Sequence, residues 1–229
     1  MPHLIFLGTS HIAEQSIRAI RKAVKDYDPD LIAVELDKQR LHALLADQRP
    51  NYSPILIAKV GLKGYLFAVI GGVLQRRLGK MVGMRPGADM KHAALLAKKH
   101  KKPLALIDQD LTTTLRNLSR KLTRKERWRF LTDILFGWAK KQPKVKIDLK
   151  QVPTTDLITK LIAQLKDRYP TFYQVLVDDR NKYMARRLLA LTHAHPDKTI
   201  LVVIGAGHIQ GIQEHFTTII NNSDKNRNN

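Results

Sequence analysis

The chain has 229 residues, 44% of them hydrophobic, which is enough material for one domain with a buried core. Lys and Arg number 40 against 20 Asp and Glu, giving a formal charge of +20 and a sequence pI near 10.3, a balance that attracts polyanions and anionic lipid. There is no cysteine, so disulfides, thiolate metal sites and thiol nucleophiles are excluded together.

In chain order, residues 3–8 read as a buried strand. Ala13, Ile17, Ile20, Val24 and Tyr27 then recur at helical spacing until Asp28-Pro29 stops the helix. "DLIAVELD" (30–37) is almost continuously apolar up to Glu35, the look of a strand buried on both faces of a parallel sheet. A helix is expected over "KQRLHALLAD". The segment 54–75 is the most apolar in the chain but is interrupted by Lys59 and Lys63. Its unbroken run, 64–74, is shorter than the ~20 residues needed to cross hydrocarbon, so it reads as one or two buried or interfacial helices able to approach an anionic membrane surface.

Residues 86–100 open with proline where a helix tolerates it. "KPLALIDQD" (102–110) is a third short strand ending in acids, and 111 to about 195 is mostly helical with breaks near Pro143, Pro153 and Pro170. "KTILVVIGAGH" (198–208) is the last strand and "IQGIQEHF" the last helix, with a disordered tail expected over 221–229. Strands separated by helices predict an α/β fold with a mainly parallel central sheet flanked by helices. One domain over 1–220 is expected, with helical elaborations over 54–85 and 111–196 before the last strand. No secretory signal pattern opens the chain, and a cytoplasmic location, peripheral to a membrane at most, is the expectation.

Ligands of an open parallel sheet bind beyond the carboxyl ends of its strands. The polar residues expected at that edge are His11 after the first strand, Glu35 at the close of the second, Asp108 and Asp110 after the third, and His208 after the last. Gly8, Gly205 and Gly207 suit tight turns and close backbone approach beside the two histidines, and the following helices offer unpaired N–H groups to a developing negative charge. Two imidazoles and a carboxylate form a recurrent ligand set for a hydrolytic divalent metal. Without a metal, Glu35 or a histidine can serve as general base for a water.

"GAGHIQG" departs from the dinucleotide-binding spacing, and Ser10 in "GTSHI" lacks a nucleophile elbow, which sets both readings aside. In "LVDDRNKYMARRLLAL", Arg180 falls on the stripe formed by Leu176, Met184, Leu188 and Leu191. A charge there needs a partner, either an acid such as Asp179 or Asp89 in a buried ion pair, or a substrate carboxylate or oxyanion. His3, His42, His92, His100, His193, His195 and His215 are taken as surface or packing residues. "KKHKK", "RKLTRKERWR" and "KKQPKVK", with Trp128 and Trp138 close by, could track phosphates, but no nucleic-acid module is present and a specific nucleic-acid partner is not expected.

The ordered set "GTSHIAEQS", "DPDLIAVELDKQRL", "GMRPGADMKHA", "LALIDQDLTTTLRNL", "LVDDRNKYMA" and "VVIGAGHIQGI" resembles the TraB family (TraB/PrgY, with GumN and the Tiki proteins as relatives) over nearly the whole chain. The resemblance implies an α/β fold related to erythromycin-esterase and ChaN-like proteins, a metal-dependent peptidase activity as in Tiki relatives, and a link to pheromone shutdown in conjugation. It also implies site roles for His11 and His208, for Glu35, and for Arg180 with Asn181. The chain departs from the family pattern where Asp89 and Asp179 replace the usual glutamates and where "IDQD" replaces "IDRD".

The leading expectation is a hydrolase acting on peptides. His11, His208 and Glu35 would hold a divalent metal (Mn, Co or Zn) or activate water directly, and Arg180 and Asn181 would secure the substrate, supported by Gly8, Gly205, Gly207, Asp89 and Asp108. The alternatives are a non-catalytic protein that sequesters a peptide pheromone and a basic accessory protein on nucleic acid.

Overall fold

The computed structural model describes residues 3–9, 14–47, 57–61, 64–65, 68–69, 87–136 and 155–227, with side chains throughout except at 134–136, 155–157 and 223–227. The elements run β1 (His3–Thr9), α1 (Glu14–Tyr27), β2 (Leu31–Val34), α2 (Lys38–Leu45), α3 (Ala88–Lys99), β3 (Leu104–Leu106), α4 (Leu111–Lys121) and α5 (Arg124–Phe136). Then follow α6 (Thr155–Arg168), α7 (Pro170–Tyr173), a π-helical turn (Gln174–Asp178), α8 (Asp179–Ala194), β4 (Thr199–Gly205), a 3-10 turn (Ala206–His208) and α9 (Ile209–Arg227). Short helical pieces also occur at 57–61, 64–65 and 68–69. Most of the apolar 54–75 segment, with Ser10, His11, Trp138 and the basic run 140–146, lies outside the described residues.

The four strands form one parallel sheet in the order β1-β4-β2-β3, as the alternation of strands and helices predicts. The last strand inserts between the first two, so residues near 35 and 205 become neighbours although the chain separates them widely. Strand alternation then divides the core. Ile32 and Val34 of β2, with Leu201 and Val203 of β4, face α1 and α3 through Ile20, Val24, Met90 and Ala93. Leu31, Ala33, Ile200, Val202 and Ile204 face α8 and α9 through Met184, Leu188 and Ile212. A smaller cluster joins Leu118 of α4 and Leu122, the residue that ends it, to Phe172 and Val175.

Two expectations are corrected. The last helix continues through Arg227, so residues 221–227 carry helical backbone where a polar composition suggested disorder. Ile212, Phe216 and Ile219 seat its earlier turns on the core, and no glycine or proline follows Gly211 to stop it. The predicted long helical stretch also breaks at Leu122–Thr123, where Thr123 accepts from the Glu126 N–H and donates to its carboxylate, starting α5 with a reciprocal cap. Among the described residues no helix is long and apolar enough to cross a membrane.

Candidate active site

The apolar stripe of α8 places Arg180. Met184 and Leu188 are buried against β2 and β4, so the residue one turn earlier on the same face lies just beyond the carboxyl edge of the sheet. The π turn immediately before α8 widens the backbone there, and Arg180 Nη1 reaches back to the Leu176 carbonyl at 3.1 Å.

From that position the guanidinium holds two carboxylates. Nε donates to Asp108 Oδ1 at 3.0 Å, and Nη2 donates to Asp108 Oδ2 at 2.7 Å and to Glu35 Oε1. Asp108 is fully buried as a side chain, and Glu35 is nearly so. The partners of Arg180 are therefore Glu35 and Asp108, not Asp179 or Asp89 as the sequence suggested. Asp179 is adjacent in the chain but about 100° around the helix, and it accepts from Lys121 Nζ at 2.8 Å. Asp89 is buried in the first turn of α3, where its Oδ1 accepts from the Met90 N–H at 2.8 Å.

Glu35 reaches the site because it continues β2 onto the edge of β4. Its N–H donates to the Val203 carbonyl at 3.1 Å, and its Oε2 accepts from the Gly205 N–H at 2.7 Å. His208 sits in the turn after β4 with its Nε2 3.5 Å from Glu35 Oε1 and 3.1 Å from Arg180 Nη1. Its Nδ1 is 2.6 Å from Asn181 Oδ1. An amide oxygen only accepts and a guanidinium only donates, so these contacts fit the neutral tautomer that carries its proton on Nδ1 and a lone pair on Nε2. Asn181 approaches this closely because Gly211 of α9 has no side chain: a Cβ there would stand 2.1 Å from Asn181 Nδ2.

Arg40 was not anticipated. Its Nη2 donates to Asp108 Oδ2, and its Nε donates to Asp37 Oδ2 at 2.7 Å. Asp37 also caps α2 by accepting from the Arg40 N–H at 2.9 Å. The only local signal is an acid three residues before an arginine at a helix start. Burial pushes the Asp108 carboxyl up, but Arg180 and then Arg40 outweigh that and hold it below the usual aspartate range. Burial likewise disfavours both guanidinium charges. Asp108, followed by Asp37, raises Arg40, while Glu35 and Asp108 raise Arg180 further.

The remaining predicted residues divide by role. Asp110 caps α4 by accepting from the Thr113 N–H at 3.0 Å, which makes it structural. Gly8 sits in close approach, where a Cβ would meet Ile209 Cδ1 at 2.6 Å and the Ala206 Cα at 3.2 Å, whereas Gly207 faces Ile158 and Ile162 at ordinary contact distance. His11 lies outside the described residues. A divalent ion drawing on His208 Nε2 and Glu35 Oε1 would need the ground that the Arg180 guanidinium holds. Among the described residues, His208 and Glu35 are thus bridged by the Arg180 guanidinium, while His11, the third expected ligand, lies outside them.

The TraB/PrgY/gumN family model matches residues 2–220. The chain belongs to the TraB/PrgY/gumN family. Among its relatives are an uncharacterized protein of Methanocaldococcus jannaschii, 30% identical over 96% of this chain and 55% of that protein, and a TraB domain-containing protein of Homo sapiens, 24% identical over 94% and 63%. The chain thus spans a little over half the length of these family relatives. A solved erythromycin esterase mutant in its open conformation aligns at 18% identity and a TM-score of 0.34, over 89% of this chain and 60% of that one.

Proposed function

We propose that this TraB-family chain is a hydrolase domain that cleaves peptide bonds with water activated at His208, and that it acts on peptide signals such as pheromones. The observation that carries the hydrolytic reading is the convergence of His208 Nε2, Arg180 and Glu35 beyond the strand ends, with Asn181 holding the imidazole in the tautomer a general base needs. The peptide as substrate follows from the family resemblance.

In this reading His208 Nε2 takes a proton as a water oxygen attacks the scissile carbonyl carbon, and the carbonyl oxygen becomes an oxyanion. Arg180 Nη1, now facing substrate in place of the imidazole lone pair, donates to that oxyanion. Collapse restores the carbonyl and breaks the C–N bond, and the amine leaves with the proton from the imidazolium. Both Glu35 oxygens already accept hydrogen bonds, so Glu35 serves as the anchor of Arg180 and as the negative charge beside the imidazolium. No step is assigned to a metal.

A second reading is favoured by one observation: Nε, Nη1 and Nη2 of Arg180 are all engaged within the protein, as in a structural hub. In that case the domain binds a peptide without cleaving it. The test is mass-spectrometric detection of cleavage in a peptide mixture by the purified chain, alone, with chelator, and with added Mn, Co or Zn. Turnover that persists in chelator and disappears in His208→Ala supports the proposal. Turnover that survives His208→Ala, or that requires metal, overturns the assigned chemistry. Peptide binding by the parent without cleavage under any condition establishes the second reading.

A further inference from the structure

Helix α5 is two-faced in an unusual way. Its inner face is tightly held: Glu126 is buried and accepts from the Thr171 N–H at 2.7 Å, and Phe130 stacks on Phe172 with centroids 5.2 Å apart. Asp133 accepts from Arg168 Nε at 2.8 Å and also pairs with Tyr169. Its outer face carries Arg124, Lys125, Trp128, Leu131 and Thr132, all exposed and all on one side by helical spacing. Trp128 is 71% exposed, the most of any large hydrophobic among the described residues, and Leu131 one turn further is 41% exposed.

An indole left this open, on a helix whose other side is fixed and with Leu131 one turn further on, offers an apolar anchor to a partner. Charge complementarity narrows the occupant to an anion, given two cations beside the indole on a chain of net +20. A nucleic acid would use the indole for stacking, but Leu131 has nothing to offer a base. An anionic bilayer uses every group: Trp128 at the headgroup level, Leu131 at the acyl boundary, and Arg124 and Lys125 on lipid phosphates.

We infer that the outer face of α5 is a docking surface for an anionic membrane. It holds the domain at the lipid surface without spanning the bilayer. The Lys121–Asp179 ion pair ties the adjoining end of α4 to the first turn of α8, next to Arg180.

The experiment follows Trp128 emission in the full chain on a Trp138→Phe background, with vesicles of phosphatidylcholine alone or mixed with phosphatidylglycerol. The expected result is a blue shift and protection from acrylamide quenching with the mixed vesicles only, reversed by salt. Arg124→Gln with Lys125→Gln should weaken co-sedimentation with the mixed vesicles roughly thirtyfold, at ~1 kcal/mol per cation. Trp128→Ser should weaken it by about tenfold. Circular dichroism and an unchanged melting temperature establish that these surface variants fold. An unmoved emission maximum, an equal response to both vesicles, or full sedimentation of the variants overturns the inference. So does a Trp128 response to duplex DNA without one to vesicles, or an indole already shielded by self-association.

Discussion

Replacing Arg180 by Met keeps an unbranched aliphatic stem one turn before Met184 and removes every donor. Glu35 then keeps the Gly205 N–H and the nearby His208 imidazole, and Asp108 keeps Arg40 and the Gln109 N–H, which it accepts at 2.7 Å. Removing one partner from a buried ion pair costs about 3–5 kcal/mol, because the opposite charge is left desolvated. Here two carboxylates lose their common cation, although Arg40 offsets part of the loss at Asp108. A destabilisation of about 3–5 kcal/mol is therefore expected in urea titrations at unchanged m. Adding Glu35→Gln to Arg180→Met should recover about 1–3 kcal/mol, since a neutral amide no longer needs the guanidinium. The effect carries a pH signature. The folded-state pKa of Asp108 is depressed, so its ionic contribution is complete above the ordinary aspartate range and drains away as pH falls through the depressed value. The gap between parent and Arg180→Met should be widest near neutrality and narrow in acid. A gap below about 1 kcal/mol at neutral pH, or one that stays constant into acid, would show that the network is not the buried ionic hub described above.

Asn181→Leu removes the acceptor that fixes His208, and a catalytic imidazole free to turn by about an ångström should lose roughly a hundredfold in peptide turnover, read as kcat, with little change in KM. Gly211→Ala forces a Cβ against Asn181, 2.1 Å from Nδ2 and 3.0 Å from Cγ. It also relieves a helical glycine worth up to about 1 kcal/mol, so turnover should fall while the melting temperature moves little; parallel loss of both refutes the separation. Glu126→Ala removes the buried acceptor of the part-buried Thr171 N–H and should cost about 1 kcal/mol by thermal or urea unfolding, with no effect on turnover.

Much of this site was legible because strand-end chemistry is local. An apolar run that closes on Glu35, or on Gly-x-x-His, announces a polar edge whatever the strand order. Arg180 was legible for the same reason, as a charge on an apolar stripe. What could not be read was the choice of partner, which depends on β4 entering between β1 and β2. That order brings residue 205 against residue 35, and no window of sequence contains both. Asp179 adjoins Arg180 along the chain, yet one residue of helix turns a side chain about 100° away. Arg40 was hidden because its helix start looks like any solvent-facing one, and the π turn at Gln174–Asp178 carries no glycine or proline to signal it.

The network also explains how a site drawn from remote segments is held in place. Asp108 extends from the end of β3, Glu35 from β2, and Gly205 closes β4, while Arg180 and Asn181 leave the first turn of α8. One guanidinium bonded to two carboxylates ties that helix to the ends of β2 and β3, and Glu35 passes the connection to β4 through the Gly205 N–H. The same contacts fix the positions of His208 and of the donor facing it. Closing the carboxyl edge of the sheet and organising the candidate site are consequently one event. Substitutions within the hub should reduce stability and activity together, whereas Asn181 and Gly211, which act on the imidazole alone, should separate the two.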